Sequence, residues 1–231
     1  MEDSRTDRQR CVMSRSDACL RLRDGDEDAV DEMMDKSSSL TQCNCVVLLS
    51  GGIDSAACVD FYLQQSATVS GLHVTYGQPA ARHEENAARA IADHYGIPLA
   101  IVRMAGSRAK SDGEIFGRNA FLLFTALMEL DAPRAMVALG IHSGTPYYDC
   151  SESFVSAVQA IVDGQCDGRI RVAAPFLEWT KRDIWDYCLH RSVPIDLTYS
   201  CEKGLDQPCG NCISCRDLEA LRVCQKLNNP A

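Results

Sequence analysis

Val46–Cys58 reads VVLLSGGIDSAAC. The apolar run Val46, Val47, Leu48, Leu49 stops at Ser50-Gly51-Gly52, and Asp54-Ser55 then opens a helical pattern. The expectation is a strand, a tight loop and a helix N-terminus. Two glycines let the backbone approach a polyphosphate, while Ser50, Ser55 and the first free N–H groups of the helix donate hydrogen bonds to its oxygens. The segment is therefore a candidate phosphate cradle.

The two common nucleotide loops do not describe it, because no lysine stands two residues past the glycines and there is no G-x-G-x-x-G. Ser50-Gly51-Gly52-Ile53-Asp54-Ser55 resembles the pyrophosphatase loop, S-G-G-x-D-S, of enzymes that use ATP to adenylate a substrate and release pyrophosphate. The resemblance implies an ATP site over Leu49, Ser50, Gly51, Gly52, Ile53, Asp54 and Ser55. An ordinary glycine turn would not require six fixed positions.

A chain of 231 residues is long enough for one main domain with a sizeable core and a small appendage. A net charge of -9 and a pI near 5.0 argue against passive binding to nucleic acid backbones, which clustered Lys and Arg drive. No stretch approaches the roughly 18 apolar residues of a membrane span, and the N-terminus lacks the apolar core of a secretory signal. The expected location is the cytoplasm, without membrane attachment. In that reducing compartment 13 cysteines are not a disulfide framework, and their spacing is to be searched for metal ligands.

Residues 1–44 are rich in Asp, Arg and Ser without a sustained apolar period, as in a disordered or loosely attached leader. Cys11, Cys19, Cys43 and Cys45 lie in or beside it as free thiols, and Met13, Met33 and Met34 leave a later natural start open. From Cys45 onward short apolar runs alternate with helical periods. Strands are expected at 46–49, 68–74, 99–103, 135–139 and 171–173, with helices between them. Glu84 to Tyr95 carries Ala87, Ile91 and Tyr95 on one face, with Gly96 as its stop. Asn119 to Leu130 is apolar on nearly every side and is expected to be buried within the domain. Thr180-Lys181-Arg182-Asp183 has the form of a capping box. The expected fold is a doubly wound, Rossmann-like α/β domain over 45–195 with a five-stranded parallel sheet. Ligands of such sheets sit beyond the carboxyl ends of the strands.

A separate lobe is expected over 196–231. Cys201, Cys209, Cys212 and Cys215 are spaced C-x7-C-x2-C-x2-C in a loop with Gly204, Pro208 and Gly210. Two-residue gaps turn neighbouring thiolates onto one ion, and the longer gap returns a fourth ligand. Zinc is preferred, with an iron–sulfur cluster as the alternative. Four protein thiolates leave no open position, so the ion is structural.

The loop and the four cysteines together resemble the 7-cyano-7-deazaguanine synthase family, from about Cys45 to the C-terminus. The likeness includes His73-x-x-Tyr76-Gly77-Gln78, Gly117-Arg118-Asn119, Asp149-Cys150, Pro175 with Trp179-Thr180-Lys181, and Ser200-Cys201 with Cys209-Gly210-x-Cys212-x-x-Cys215. It implies the adenine-nucleotide alpha-hydrolase-like version of the fold, and a ligase that adenylates 7-carboxy-7-deazaguanine, admits ammonia, and adenylates the resulting amide to give a nitrile. ATP, the deazaguanine and ammonia would be the small-molecule substrates, Mg²⁺ would accompany ATP, and the assembly would be a homodimer. Catalytic candidates are Asp54, which would help hold Mg²⁺ with the phosphates, and Lys181 and Arg118, which would stabilise charge. The bland alternatives are a solvated helix-start charge for Lys181 and a helix-cap ion pair for Arg118. Substrate candidates are His73, Tyr76, Gln78, Asn119 and Asp149. Tyr147 and Tyr148 offer rings for stacking or for the core, and His142, like His73, follows a strand.

The chain also departs from the family pattern. Pro79, Ala80 and Ala81 separate Gln78 from Arg82-His83, where the family has Gln-Arg-His. Asp149-Cys150 is followed by Ser151-Glu152-Ser153 instead of Arg-Pro-Glu, and the stretch from Gly140 to Asp149 is short. These departures motivate a second reading, a paralogue that adenylates a deazaguanine-type substrate and joins it to a protein or nucleic acid, as in a defence system. A reading of another class, a zinc-stabilised module that only binds nucleotide, is opposed by the intact Ser50–Ser55 loop.

Overall fold

The structure, a computed structural model, describes residues 44–106 and 114–228, with side chains as far as 225. The leader expected over 1–44 lies outside the described residues except for Asn44, which opens the first strand. Strand β1 is Asn44–Leu48, and helix α1, Ile53–Gln64, follows the Ser50-Gly51-Gly52 loop. Then come β2 (Thr68–Thr75), α2 (Ala81–Tyr95), β3 (Leu99–Arg103), α3 (Arg118–Glu129) and β4 (Ala135–Ala138). The chain ends with α4 (Glu152–Cys166), β5 (Ile170–Ala173), α5 (Lys181–His190) and α6 (Ile213–Asn228).

All five strands pair in parallel in the order β3-β2-β1-β4-β5. Parallel neighbours need crossover helices, and the chain supplies one after each strand. Side chains alternate across β1, so Val47 joins one core with α1, α2, α5 and α6, while Val46 and Leu48 join the other with α3 and α4. The sheet is covered on both faces, which is why its strands read as apolar runs. The chain winds from β1 to β3 on one side and returns to β4 on the other. The crevice between the ends of β1 and β4 is thus the topological switch point, where such sheets bind ligands.

Two local devices behave as their residue types require. Gly96 ends α2 in the left-handed conformation (φ 64°), and Thr180 caps α5 by accepting the Asp183 N–H while the Asp183 carboxylate accepts the Thr180 N–H. Helix α1 is tied to α5 through Asp60, a buried carboxylate that accepts from the Tyr187 hydroxyl at 2.5 Å and from Arg191 Nε at 3.4 Å. That bond fixes the helix carrying Lys181 against the helix carrying Asp54.

Two expectations need correction. Helix α3 is not buried on all sides: only Asn119, Leu123 and Ala126 are inaccessible, and Met128 is exposed. It covers one face of the sheet, and its outer apolar residues have no layer above them among the described residues. The cysteine segment is not loop throughout, because Cys215 lies in the first turn of α6, a helix that the sequence pattern left unread.

Candidate active site

The loop at the end of β1 is built to keep its backbone close to its surroundings. Gly51 has φ 89°, and a Cβ there would stand 2.5 Å from the Glu84 carbonyl oxygen and 2.9 Å from Ala87 Cβ. Only glycine fits. Ser55 donates to the Gly52 carbonyl at 2.8 Å, and the Ser50 and Ser55 hydroxyls lie 3.1 Å apart. Both hydroxyls thus lie together beside the N-terminus of α1 at the end of β1. Gly140 ends β4 against the same turn, where a Cβ would meet the Asp54 carbonyl oxygen at 2.6 Å.

Asp54, in the first turn of α1, holds Lys181, the first residue of α5, with Nζ at 2.6 Å from each carboxylate oxygen. Residues 127 positions apart thus form one partly buried ion pair at the switch point. His142, just beyond β4, completes the group. Its Nδ1 accepts the Gly144 N–H at 3.0 Å, which leaves the ring proton on Nε2, 4.0 Å from Asp54 Oδ2. Burial holds this imidazole below its usual range, opposed by Asp54 and reinforced by Lys181, so the ring is neutral near pH 7. Lone hydrophilic residues after strands carry little signal in a sequence, and His142 becomes conspicuous only when Asp54 is placed beside it.

A second group gathers at the end of β2. Tyr76, Gln78, Glu84 and Arg118 meet there. The Gln78 side chain accepts the Tyr76 N–H at 2.8 Å and donates to Glu84 at 2.9 Å and to the Val74 carbonyl at 3.3 Å. It serves as the staple of the turn. Burial raises the Glu84 carboxyl above its usual range, while the Gln78 hydrogen bond and Arg118 pull it down. Burial likewise raises the Tyr76 phenol, with Arg118 again opposing. Arg118 therefore stands with Tyr76 and Glu84, donates to Asn119 Oδ1 at 3.1 Å, and does not pair with Asp54 as Lys181 does. Asn119 clamps the loop after β4: its side chain donates to the Asp149 carbonyl at 2.9 Å and its backbone N–H to the Asp149 carboxylate at 3.3 Å. His73 is fully buried under the first loop, with Nδ1 2.9 Å from the Leu49 carbonyl, and holds the end of β1 in place.

The loops after β4 and β5 line an open pocket of about 360 Å³, which starts at Ser143. Ser143 stitches the two loops, donating both its N–H (3.1 Å) and its hydroxyl (2.7 Å) to the Trp179 carbonyl. Ser151, at the family's arginine position, caps α4 by accepting the Phe154 N–H at 3.1 Å. The departure at this position has a local structural use.

The sulfur atoms of Cys201, Cys209, Cys212 and Cys215 all lie within 4.8 Å of one another. Backbone N–H groups of Cys209, Asn211, Cys212 and Cys215 point at these sulfurs over 3.3–3.5 Å, the arrangement that stabilises thiolates. Burial acts to raise the Cys201 thiol, but the N–H groups of Cys209 and Lys203 bring it down to about 6. This set can hold one metal ion, and its donors suit a soft or borderline one. The cluster also braces the nucleotide loop. Tyr199, packed on the cysteines, donates its N–H to the Gly51 carbonyl at 2.9 Å and stacks on His83 with centroids 4.7 Å apart. Gly204 (φ 66°) presses on Pro79 so closely that a Cβ would lie 2.2 Å from its carbonyl oxygen. The inserted Pro79-Ala80-Ala81 is thus where this segment seats. No sequence signal singles out Tyr199.

Residues 44–113 and 114–222 match the profile of the family described as queuosine biosynthesis protein QueC. The chain belongs to that family. Among its relatives, the 7-cyano-7-deazaguanine synthase of Koribacter versatilis (strain Ellin345) is 32% identical over 200 residues, covering 74% of this chain and 84% of that protein. The 7-cyano-7-deazaguanine synthase of Synechococcus sp. (strain CC9605) is 31% identical over 213 residues, covering 78% and 93%. The QueC-type chain has no described helix long and apolar enough to cross a membrane.

Proposed function

We propose that this protein makes 7-cyano-7-deazaguanine from 7-carboxy-7-deazaguanine and ammonia, using two molecules of ATP. The observation that carries the proposal is the Asp54–Lys181 pair at the mouth of the Ser50–Ser55 loop, in a chain whose relatives bear the synthase name. A carboxylate is a poor electrophile, and attack of its oxygen on the α-phosphorus of ATP expels pyrophosphate and leaves an acyl adenylate. Ammonia adds to the acyl carbon, loses a proton, and AMP departs with the former carboxylate oxygen, giving the amide. The amide oxygen then attacks the α-phosphorus of a second ATP and expels pyrophosphate, and departure of AMP with that oxygen, together with loss of both nitrogen protons, gives the nitrile.

In this account the loop hydroxyls and the N-terminus of α1 hold the departing pyrophosphate. Lys181 carries positive charge to the α-phosphoryl group, where negative charge builds in the transition state. Asp54 supplies a hard oxygen donor suited to the Mg²⁺ that accompanies ATP, since such ions take one or two carboxylates beside the phosphates. That ion neutralises phosphate charge when bound. The four thiolates hold Zn²⁺ in a structural role, with no position open for a substrate.

The test is exchange of labelled pyrophosphate into ATP with ammonia withheld. Exchange that requires 7-carboxy-7-deazaguanine and is lost in Lys181→Met is expected; AMP or exchange that ignores the acid overturns the assignment.

A further inference from the structure

Resting on the reaction proposed above, we infer that His142 is a positioning residue for adenylation: its Nε2–H takes over Asp54 Oδ2 when Lys181 leaves that carboxylate for the phosphoryl group. Lys181 Nζ lies 2.6 Å from both oxygens of Asp54 and is spent on the two at once. Mg²⁺ binds its oxygens at about 2.0–2.1 Å, and two cations do not share one face of a carboxylate at that range. The pair must therefore open before Asp54 meets the ion and Lys181 meets the α-phosphoryl group. A carboxylate that loses its ammonium partner in a partly buried site needs another donor.

His142 stands ready as that donor. It is 8% exposed, and its Nε2 lies 4.0 Å from Asp54 Oδ2, about 1 Å beyond hydrogen-bond distance. Because the Gly144 N–H occupies Nδ1 at 3.0 Å, the ring proton sits on Nε2, on the side of the carboxylate. The ring is held where it is. A Cβ at Gly144 would lie 3.0 Å from Nδ1 and 3.1 Å from Cε1, so the turn backs the imidazole closely, and Ser143 ties that turn to the Trp179 carbonyl. Gly140, two residues before His142, packs against the Asp54 carbonyl. Ring and carboxylate are thus carried by backbones in contact, and a small rotation of the Asp54 side chain brings Oδ2 to Nε2. Holding Oδ2 in this way leaves Oδ1 for the ion, the kind of outer support that orients metal ligands.

The first test needs no nucleotide. In the full chain carrying isotope-labelled histidine, the NMR signal of the His142 Nε2–H, identified by its loss in His142→Gln, should move downfield and exchange more slowly in Lys181→Met than in wild type, because the freed carboxylate accepts it. An unmoved signal overturns the inference. The second test is the Mg²⁺ dependence of pyrophosphate exchange into ATP. Outer partners of metal ligands contribute about 10- to 100-fold, so His142→Leu should raise the Mg²⁺ concentration for half-maximal exchange by that factor. His142→Gln keeps an N–H donor of similar reach and should restore it to within about threefold, with KM for the acid within about twofold of wild type in both variants, a pattern that a general loss of structure would not give. If wild-type exchange requires the acid but His142→Leu needs no more Mg²⁺ than wild type, the role of His142 alone is wrong. Wild-type exchange that is absent, or that ignores the acid, overturns the reaction and the part assigned to His142 together.

Discussion

Adjacent glycines in the first loop should respond oppositely to the same substitution. In Gly51→Ala the new methyl meets the Glu84 carbonyl oxygen at 2.5 Å, Ala87 Cβ at 2.9 Å and the Ala88 nitrogen at 3.1 Å, all on the rigid α2. The residue also keeps φ at 89°, which costs a non-glycine residue about 1–2 kcal/mol. Overpacking against a helix backbone adds about 1–3 kcal/mol, so the expected loss is about 2–5 kcal/mol. Gly52 has φ -84°, and its nearest neighbour to a new Cβ is the Ser50 hydroxyl at 3.5 Å. Gly52→Ala should therefore change stability by no more than about 1 kcal/mol, in either direction. Its methyl stands in the phosphate cradle, so ATP affinity should fall by about tenfold or more, equivalent to about 1.4 kcal/mol. Urea unfolding with a constant slope measures the first quantity and ATP titration the second. Equal stabilities for the two variants, or a Gly51→Ala protein within about 0.5 kcal/mol of wild type, would refute the steric argument.

Tyr187→Phe removes the hydroxyl held by the buried Asp60 carboxylate and should cost about 1.5–3 kcal/mol in urea unfolding; an unchanged midpoint would show that the bond contributes nothing. His73 is held below its ordinary value of 6.5 by burial, with its hydrogen bond to Leu49 opposing. As pH falls below 6.5 the unfolded chain takes up a proton that the folded chain refuses, so stability is lost until the folded-state value is passed. His73→Gln should flatten the decline in unfolding free energy between pH 7 and pH 5, and an identical slope would contradict the assignment. Cys212→Ser should lose metal by elemental analysis and, through the Tyr199 bond to Gly51, should also weaken ATP binding. A stable metal-free variant with normal ATP affinity would separate the cluster from the loop.

Much of this arrangement was legible because parallel strands buried on both faces leave continuous apolar runs. Val46 to Leu49, Leu99 to Arg103 and Ala135 to Leu139 marked β1, β3 and β4 to within two residues. The Ser50–Ser55 loop and the cysteine spacing were legible because local chain geometry brings their atoms together. Helix α3 misled because its outer face is as apolar as its inner one, and apolar periodicity carries no information about which face meets the sheet. The apolar pattern marks α2 only from Glu84, three residues past its start at Ala81, because Ala81, Arg82 and His83 offer no apolar repeat, and Gly204 and Tyr199 seat there from far along the chain. His142 and the Asp54–Lys181 pair depend on β1, β4 and α5 meeting at the switch point, a juxtaposition that only the folded sheet creates.

The account stands or falls on what is made from ATP. Purified protein incubated with ATP, Mg²⁺, ammonium and 7-carboxy-7-deazaguanine, followed by mass spectrometry, should yield 7-cyano-7-deazaguanine with two AMP for each nitrile and the amide as a transient. AMP formed without amide or nitrile would contradict the proposed acceptor, and a nitrile formed without AMP would contradict adenylation at the Asp54–Lys181 site.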